Sequence, residues 1–494
     1  MAVAKIKVNA GGFGCPVDVR EYIDLLEREG ELRRVKTEVD WKHEAGAMSR
    51  LVCERRGPAP LFEKVKDYPG QQLAAVLLGP SKPSLHARTA LALGLPKDTP
   101  VLELIETVRQ RLKAPIAPRQ VSREQAPCKE VIVPEREFNL LNFPVPWIKE
   151  IDGGRYIGTN DIIVTQDPDT GWTNWATYRC MVKDEKRFSI LLQPSRQHGG
   201  AVLNKYEAMN RPMPIALVIS ADPVSHLAAT TPMNHLVSEA DGTGGLRGEA
   251  VQIVKCETND LAVPATAEIV IEGLVLPNER VEEGPFGEFT GHSAHRGKTP
   301  VVQVTAITHR RNPIFTMANM GKPWDDYASC AYVMTPAVAK NRLEADGVQI
   351  KSAYCYVPGV IVISLKPSPG IQKRVVSTLL SGQRLLSPGL VLVDEDVDVT
   401  NVEDVWWAIC SRMNPENYEL IRNSPTSMLN AWLTPAEREA RQAGSWVMDA
   451  TFPHTWSKQY REDHTKVSDF SHGWSESTQQ QILARWKDYG YGDI

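Results

Sequence analysis

Between residues 131 and 317 the chain is a dense run of candidate strands with little helical periodicity between them, and this constrains its fold more than any other feature. Apolar, β-branched stretches at residues 161–165, 172–182, 188–192, 215–220, 251–256, 267–271, 301–308 and 314–317 have strand length. Asp167-Pro168-Asp169-Thr170-Gly171 reads as a hairpin loop, and Arg310-Arg311-Asn312-Pro313 as a turn before the last strand. One helix, near residues 201–210, interrupts the pattern. Strands at this density, without regular helices between them, favour an antiparallel barrel or sandwich over a doubly wound sheet.

The flanks read differently. At 494 residues the chain is too long for one small core, and its length points to roughly three domains. Asp18 and Glu21 form a capping box ahead of Val19, Tyr22, Ile23 and Leu26, whose spacing predicts an amphipathic helix ending at Gly30. A second helix is expected over residues 100–113 with Thr99 as N-cap. Ala114-Pro115-Ile116-Ala117-Pro118 breaks it, and a polar stretch to Pro127 marks the first domain connection. Beyond Pro323, helices at 337–344 and 371–380 and a helix opened by Thr400 and Glu403 alternate with strands at 360–365 and 390–393, forming an α/β layer. Trp406 and Trp407 sit in its last helix, where core or subunit packing accounts for them. An irregular, aromatic-spotted segment (residues 454–474) and a final helix (475–489) have the character of an arm docking on another subunit.

Composition excludes several classes. Apolar residues make up 42% and charged residues 23% of the chain, as in ordinary globular proteins. The net charge is -4 with no dense Lys/Arg block, so no nucleic-acid footprint is present and acidic small molecules must be met by local arginines. The first residues lack a long apolar h-region, and no apolar run approaches the ~18 residues of a membrane span. A cytoplasmic protein without a membrane partner is expected. Eight cysteines without a C-x-x-C pair read as free thiols.

Chemistry concentrates in Glu283-Gly284-Pro285-Phe286-Gly287-Glu288, read with Asn174-Trp175-Ala176-Thr177-Tyr178-Arg179 upstream. Pro285 fixes its own φ and lacks an N–H, while Gly287 admits backbone angles closed to other residues, so the segment is a shaped turn with an acid at each end. Taken alone, such a pair is most often a solvated acidic turn. Two acids held near one arginine can instead take different pKa values, one kept ionised by the cation and one raised by burial and like charge, which suits proton transfer.

Four segments occur in order: Asn174 through Arg179 continuing into Cys180-Met181-Val182; Gln197-His198; Ile253-Val254-Lys255-Cys256-Glu257-Thr258-Asn259-Asp260-Leu261-Ala262-Val263-Pro264-Ala265; and Glu282 through Glu288. Together they resemble the UbiD-type decarboxylases, which use prenylated FMN. The resemblance covers roughly residues 20–489. It implies a mixed α/β (α+β) fold: an N-terminal mixed α/β domain (1–125), a central split β-barrel that binds prenylated FMN (126–320), a C-terminal α/β oligomerisation domain (321–460) and a C-terminal arm and helix (461–494). It also implies at least a homodimer, and a flavin prenyltransferase as supplier of the cofactor. The implied reaction is reversible, non-oxidative decarboxylation of an aromatic, heteroaromatic or α,β-unsaturated acid, either free or as an aryl coenzyme A thioester. Removing CO2 from an sp2 carbon would leave an unstabilised carbanion, so the reaction needs an electron sink, a cation for the substrate carboxylate and an acid to return a proton.

By motif position Glu288 resembles the proton donor, with Glu283 and Arg179 completing a Glu-Arg-Glu network. Asn174 and His198 match positions that ligate a divalent metal, Mn2+ or Mg2+, bridging to the flavin phosphate. Trp175, Ala176, Thr177, Tyr178 and Gln197 belong to the same cofactor-binding segments. The residue four before Cys256 is commonly the glutamate ligand of that metal, and here it is Gln252, an oxygen donor without charge; Glu239 and Glu249 are nearby acids at other positions. Relatives often carry a lysine that reaches the cofactor ahead of residues 390–393, and Arg384 takes its place here. Leu227-Ala228-Ala229-Thr230-Thr231-Pro232-Met233 resembles a backbone loop that holds a monovalent cation, K+, an ordinary apolar turn being the other reading. Phe289, His292 and Tyr327 are expected beside the substrate. The altered residues Gln252 and Gln383-Arg384 motivate an alternative, a non-catalytic or partner-dependent flavin-binding scaffold. A plain flavin oxidoreductase has no G-x-G-x-x-G fingerprint to support it.

Overall fold

A computed structural model describes residues 14–193, 197–233, 237–356, 359–380 and 388–491. Arg384 lies outside the described residues. The strand-rich stretch curls into a half-barrel whose strands run, edge to edge, Tyr156–Gly158, Cys180–Asp184, Arg187–Ile190, Gly297–His309, Ile269–Glu283, Met213–Ile219, Asp161–Gln166 and Thr173–Ala176. Every pairing along this path is antiparallel. Both faces are covered. Ile163, Ile215, Leu217 and Ile271 pack with Val202 and Leu203 of the helix His198–Ala208, while Ile162, Val164, Val218 and Val270 pack against Val254 and Val263. That double burial explains why Met213–Ile219 reads as an unbroken apolar run rather than an alternating one.

Two strands are much longer than their apolar stretches predict. Ile269–Glu283 and Gly297–His309 pair with register shifts between Glu272 and Gly273 and between Val275 and Arg280. Such bulges bend a ribbon and increase its twist. The pair carries the chain out to Glu283, opposite Gly297, where the acidic turn begins. Instead of one helix, three α-helices interrupt the stretch among the described residues: His198–Ala208, Pro223–Ala229 and Glu239–Arg247. The last is glycine-rich and buried along most of its length, so neither propensity nor amphipathic spacing marks it.

At the N-terminal side the helix Val19–Arg28 forms with Asp18 accepting from the Glu21 N–H. The next expected helix runs Val101–Leu112 with Pro100 as its N-cap, because the Thr99 hydroxyl donates back to Pro96 O. Ile314–Met317 leaves the half-barrel and pairs in parallel with Gln72–Ala75 of the N-terminal sheet. Past it, a five-stranded sheet runs Ser352–Tyr356, Val360–Ser364, Gly389–Val393, Gln442–Ala450, Tyr418–Pro425. The helix Asp326–Ala345 is 20 residues long with Pro336 inside it, far longer than residues 337–344. Trp406 is 63% exposed, which rules out a place in this chain's own core. The final helix, Glu476–Ala484, is shorter than expected and has no buried residue. No helix among the described residues is long and apolar enough to cross a membrane.

Candidate active site

Arg179 sits in the break between the strands Thr173–Ala176 and Cys180–Asp184, Glu283 ends its long strand, and Glu288 follows the two-residue bridge Phe286–Gly287. The sheet brings the three together. Arg179 donates from Nε to Glu283 Oε1 at 3.0 Å and from Nη2 to Glu283 Oε2 at 2.6 Å, a bidentate fork, and its Nη1 donates to Glu288 Oε1. Glu283 and Glu288 are 1% and 4% exposed. Burial raises Glu288 above the ordinary carboxylate range against the lowering pull of Arg179, so this acid holds its proton to higher pH than a surface glutamate. Burial also opposes the charge on Arg179, but the two carboxylates outweigh it and hold the guanidinium above its ordinary value.

The turn between the acids is held from outside. Asp152 accepts the Gly287 N–H at 2.9 Å and the Lys149 N–H at 3.0 Å, and the Gly153 N–H donates to Pro285 O at 2.7 Å. The left-handed residue of the turn is Gly284, at φ +84, rather than Gly287. Glycine at 287 answers a need for space: a Cβ there would meet Lys149 Cδ at 2.8 Å. Tyr156 closes the arrangement from beneath, its hydroxyl donating to Glu283 Oε1 at 2.6 Å and its ring lying 4.4 Å from that of Phe286.

Arg179 and Glu288 face a cavity of about 270 Å3. Asn174, Trp175, Ala176, Thr177 and Tyr178 line one wall, and Gln197 and His198 another. Phe289 and Tyr327, with ring centroids 4.6 Å apart, form an aromatic side. Glu283 stands behind Arg179 and does not line the space. Residues 229–233 of the expected cation loop also border it, where the Thr230 and Thr231 hydroxyls both donate to Leu227 O.

Two expected residues stand elsewhere. Gln252 opens the strand Gln252–Lys255, pairs with Arg119, and lies outside the cavity lining; of the nearby acids Glu239 and Glu249, it is Glu239, at the start of its glycine-rich helix, that lines it. Glu239 is buried, accepts the Trp175 N–H at 2.9 Å, and is pushed up to about 8 by burial. A buried carboxyl beside Asn174 and His198 is the acid that a hard or borderline cation needs to complete its donor set. The Trp172 and His198 rings meet in a T-shaped contact with centroids 5.0 Å apart. His292 is exposed and away from the cavity, because the short pairing of Phe286–Gly287 with Ser293–Ala294 turns residues 288–292 into a loop. Asp326, beside Tyr327, also lines the space, as do Ser427 and Leu429, which no sequence motif marked. Ser238 as N-cap ahead of Glu239 is the signal that could have located the missing acid. Nothing in local sequence pairs Tyr156 with Glu283, 127 residues away.

Three family models match: the 3-octaprenyl-4-hydroxybenzoate carboxy-lyase N-terminal domain at residues 23–108, its Rift-related domain at 119–323 and its C-terminal domain at 333–450. The pyrrole-2-carboxylic acid decarboxylase of Pseudomonas aeruginosa is 32% identical over 97% of this chain and 99% of its own. The vanillic acid decarboxylase of Sedimentibacter hydroxybenzoicus, in closed form, superposes with a TM-score of 0.85 at 31% identity, covering 96% of this chain and 99% of that one. An evolved dimeric form of the UbiD-class enzyme HmfF from Pelotomaculum thermopropionicum, in complex with prFMN, superposes with a TM-score of 0.73 at 29% identity over 90% and 96% of the two chains.

Proposed function

The chain belongs to the UbiD carboxy-lyase family, and we propose on that premise that it removes CO2 reversibly and without oxidation from an aromatic, heteroaromatic or α,β-unsaturated acid, with Glu288 as the proton donor. The observation that carries this reading is the buried Arg179 fork between Glu283 and Glu288 at the edge of an aromatic-walled cavity. Prenylated FMN, when bound, supplies the electron sink that decarboxylation at an sp2 carbon requires. Asn174, His198 and Glu239 would hold a divalent metal, and backbone N–H groups at the N-terminal end of the helix His198–Ala208 would favour an anionic group of the cofactor. The segment 227–233, which is the end of the helix Pro223–Ala229 and the chain after it, would hold K+, and a flavin prenyltransferase would supply the cofactor.

The chain's own residues divide the remaining work. Arg179, fixed by Glu283, presents its charge to the substrate carboxylate and orients the bond that breaks. Phe289 and Tyr327 flank the flat part of the substrate and exclude water from it. Glu288, kept protonated by burial, returns a proton to the carbon that CO2 leaves. Gln252 no longer argues for a scaffold without catalysis, since a carboxylate stands in the cavity at Glu239. Trp406 and the exposed tail aromatics favour assembly into a homodimer or larger homo-oligomer.

The test is production of the protein together with a flavin prenyltransferase, followed by assay of CO2 release across a panel of aromatic and heteroaromatic acids. The wild type is expected to carry a modified-flavin spectrum and to decarboxylate at least one acid. Glu288→Gln is expected to keep the flavin and lose turnover by about a hundredfold or more, the scale of a general acid. Normal turnover in that variant would reject the assignment.

A further inference from the structure

Tyr156 is placed to decide which of the two acids carries the proton, and we propose it as a positioning residue whose hydroxyl holds Glu283 as the carboxylate, so that the single mobile proton of the pair resides on Glu288. The inference rests on the donor role given to Glu288 above. Three donors converge on the Glu283 carboxylate: the Tyr156 hydroxyl and the Arg179 Nε and Nη2. The Glu288 carboxyl receives one, from Arg179 Nη1, with the Phe289 N–H exerting a further pull from nearby. Hydrogen bonds given to the charged form favour that form. Pro285 O, at 3.3 Å, is a competing acceptor for the Tyr156 proton, but the carboxylate oxygen is nearer, at 2.6 Å, and charged.

Tyr156 is built for this one contact. Its side chain is fully buried, pairs across the sheet with Met181, and packs in a cluster with Met181 and Phe286. Burial and then the Glu283 charge push its phenol above the ordinary range, so it remains a donor at working pH. The other titratable groups facing the pair are Lys183, His295 and Cys180 around Glu283, Lys149 and Tyr327 around Glu288, and Asp152 beyond Tyr156. None of these groups donates to either carboxylate among the described contacts, so the Tyr156 hydroxyl and the second Arg179 N–H are what set Glu283 apart from Glu288. Without it the proton is shared by transfer from Glu288 to Glu283, with no change in total charge and with Arg179 still cationic.

Tyr156→Phe keeps the ring on Phe286 and removes only the hydroxyl. Losing that donor destabilises both states in which Glu283 is ionised, including the one where both acids are, so the pair's last proton leaves at higher pH while it spends time on the wrong acid. A charge-assisted hydrogen bond shifts such an equilibrium by about ten- to a hundredfold. The expected result, on the acid the flavin-loaded wild type turns over, is a fall in kcat of about tenfold, KM within about twofold, and a basic limb of the kcat profile displaced to higher pH. A fall in kcat with the limb unmoved, or an unchanged kcat, would overturn the proposal. Infrared spectroscopy gives a readout independent of substrate: the neutral-carboxyl band assigned to Glu288 by its loss in Glu288→Gln should shift in Tyr156→Phe, and an unshifted band counts against the idea. Should Glu288→Gln turn over normally, the donor assignment itself fails, a result distinct from either outcome for Tyr156.

Discussion

Glu288 and Glu239 are both buried acids, and their protonation points to opposite uses. Glu288 must be protonated to donate. Since burial raises its pKa, activity is expected to hold through the range where surface glutamates are ionised and to fall as pH rises through the raised value. Glu239 must be ionised to bind a cation. In metal-free protein burial pushes it up to about 8 from 4.5, so the folded chain keeps a proton that the unfolded chain has released within that window, and metal-free stability falls as pH rises across it. On the proposed reading a divalent ion would take the place of that proton. Mn2+ should therefore raise Tm more at about pH 8 than at about pH 6, with proton release on binding, and Glu239→Gln should remove the effect; a Tm response to Mn2+ that Glu239→Gln leaves intact would show the ion bound elsewhere. Arg179, Glu283 and Glu288 were legible in sequence because two short segments carry them. Glu239 was not placed, because Asn174, His198 and Glu239 reach the cavity from three elements whose order in the chain does not reveal their proximity.

At the scale of elements, the acidic turn depends on backbone closeness more than on its own residues. A Cβ at Gly153 would collide with the Gly284 carbonyl, and relieving that overlap would push the turn outward. Gly153→Ala is therefore expected to cost about 1–3 kcal/mol, as overpacking does, read as a lower denaturant midpoint, and to weaken turnover with flavin still bound. Strand density announced the half-barrel, and most strands lie where β-branched residues cluster. The reach of Ile269–Glu283 was invisible, because its outer half, from Leu276 on, includes Pro277 and charged residues and is held by pairing with Gly297–His309. Short helices such as Pro223–Ala229 were missed for the converse reason: they are buried on most sides and carry no amphipathic period.

For the whole molecule, the cavity draws its lining from the central half-barrel, from the helix Asp326–Ala345 and from Ser427 and Leu429 near the C-terminal sheet, so the flanking regions do more than frame the barrel. The aromatic side chains left uncovered gather in the C-terminal part: Trp406 on its helix, Trp432, and Phe470, Trp474 and Trp486 in the tail. On the proposed homo-oligomer these exposed side chains would lie in the interface between copies of the chain. Trp406→Glu is expected to lower the assembly's mass in native mass spectrometry by at least one subunit; an unchanged assembly would place the interface elsewhere. The central claim, that Glu288 returns the proton where CO2 departs, is met most directly by turnover in D2O followed by mass analysis of the product. The account predicts one deuterium at the vacated carbon with the flavin-loaded wild type and neither turnover nor exchange at that carbon with Glu288→Gln. Deuterium incorporation at the wild-type rate in that variant would contradict it.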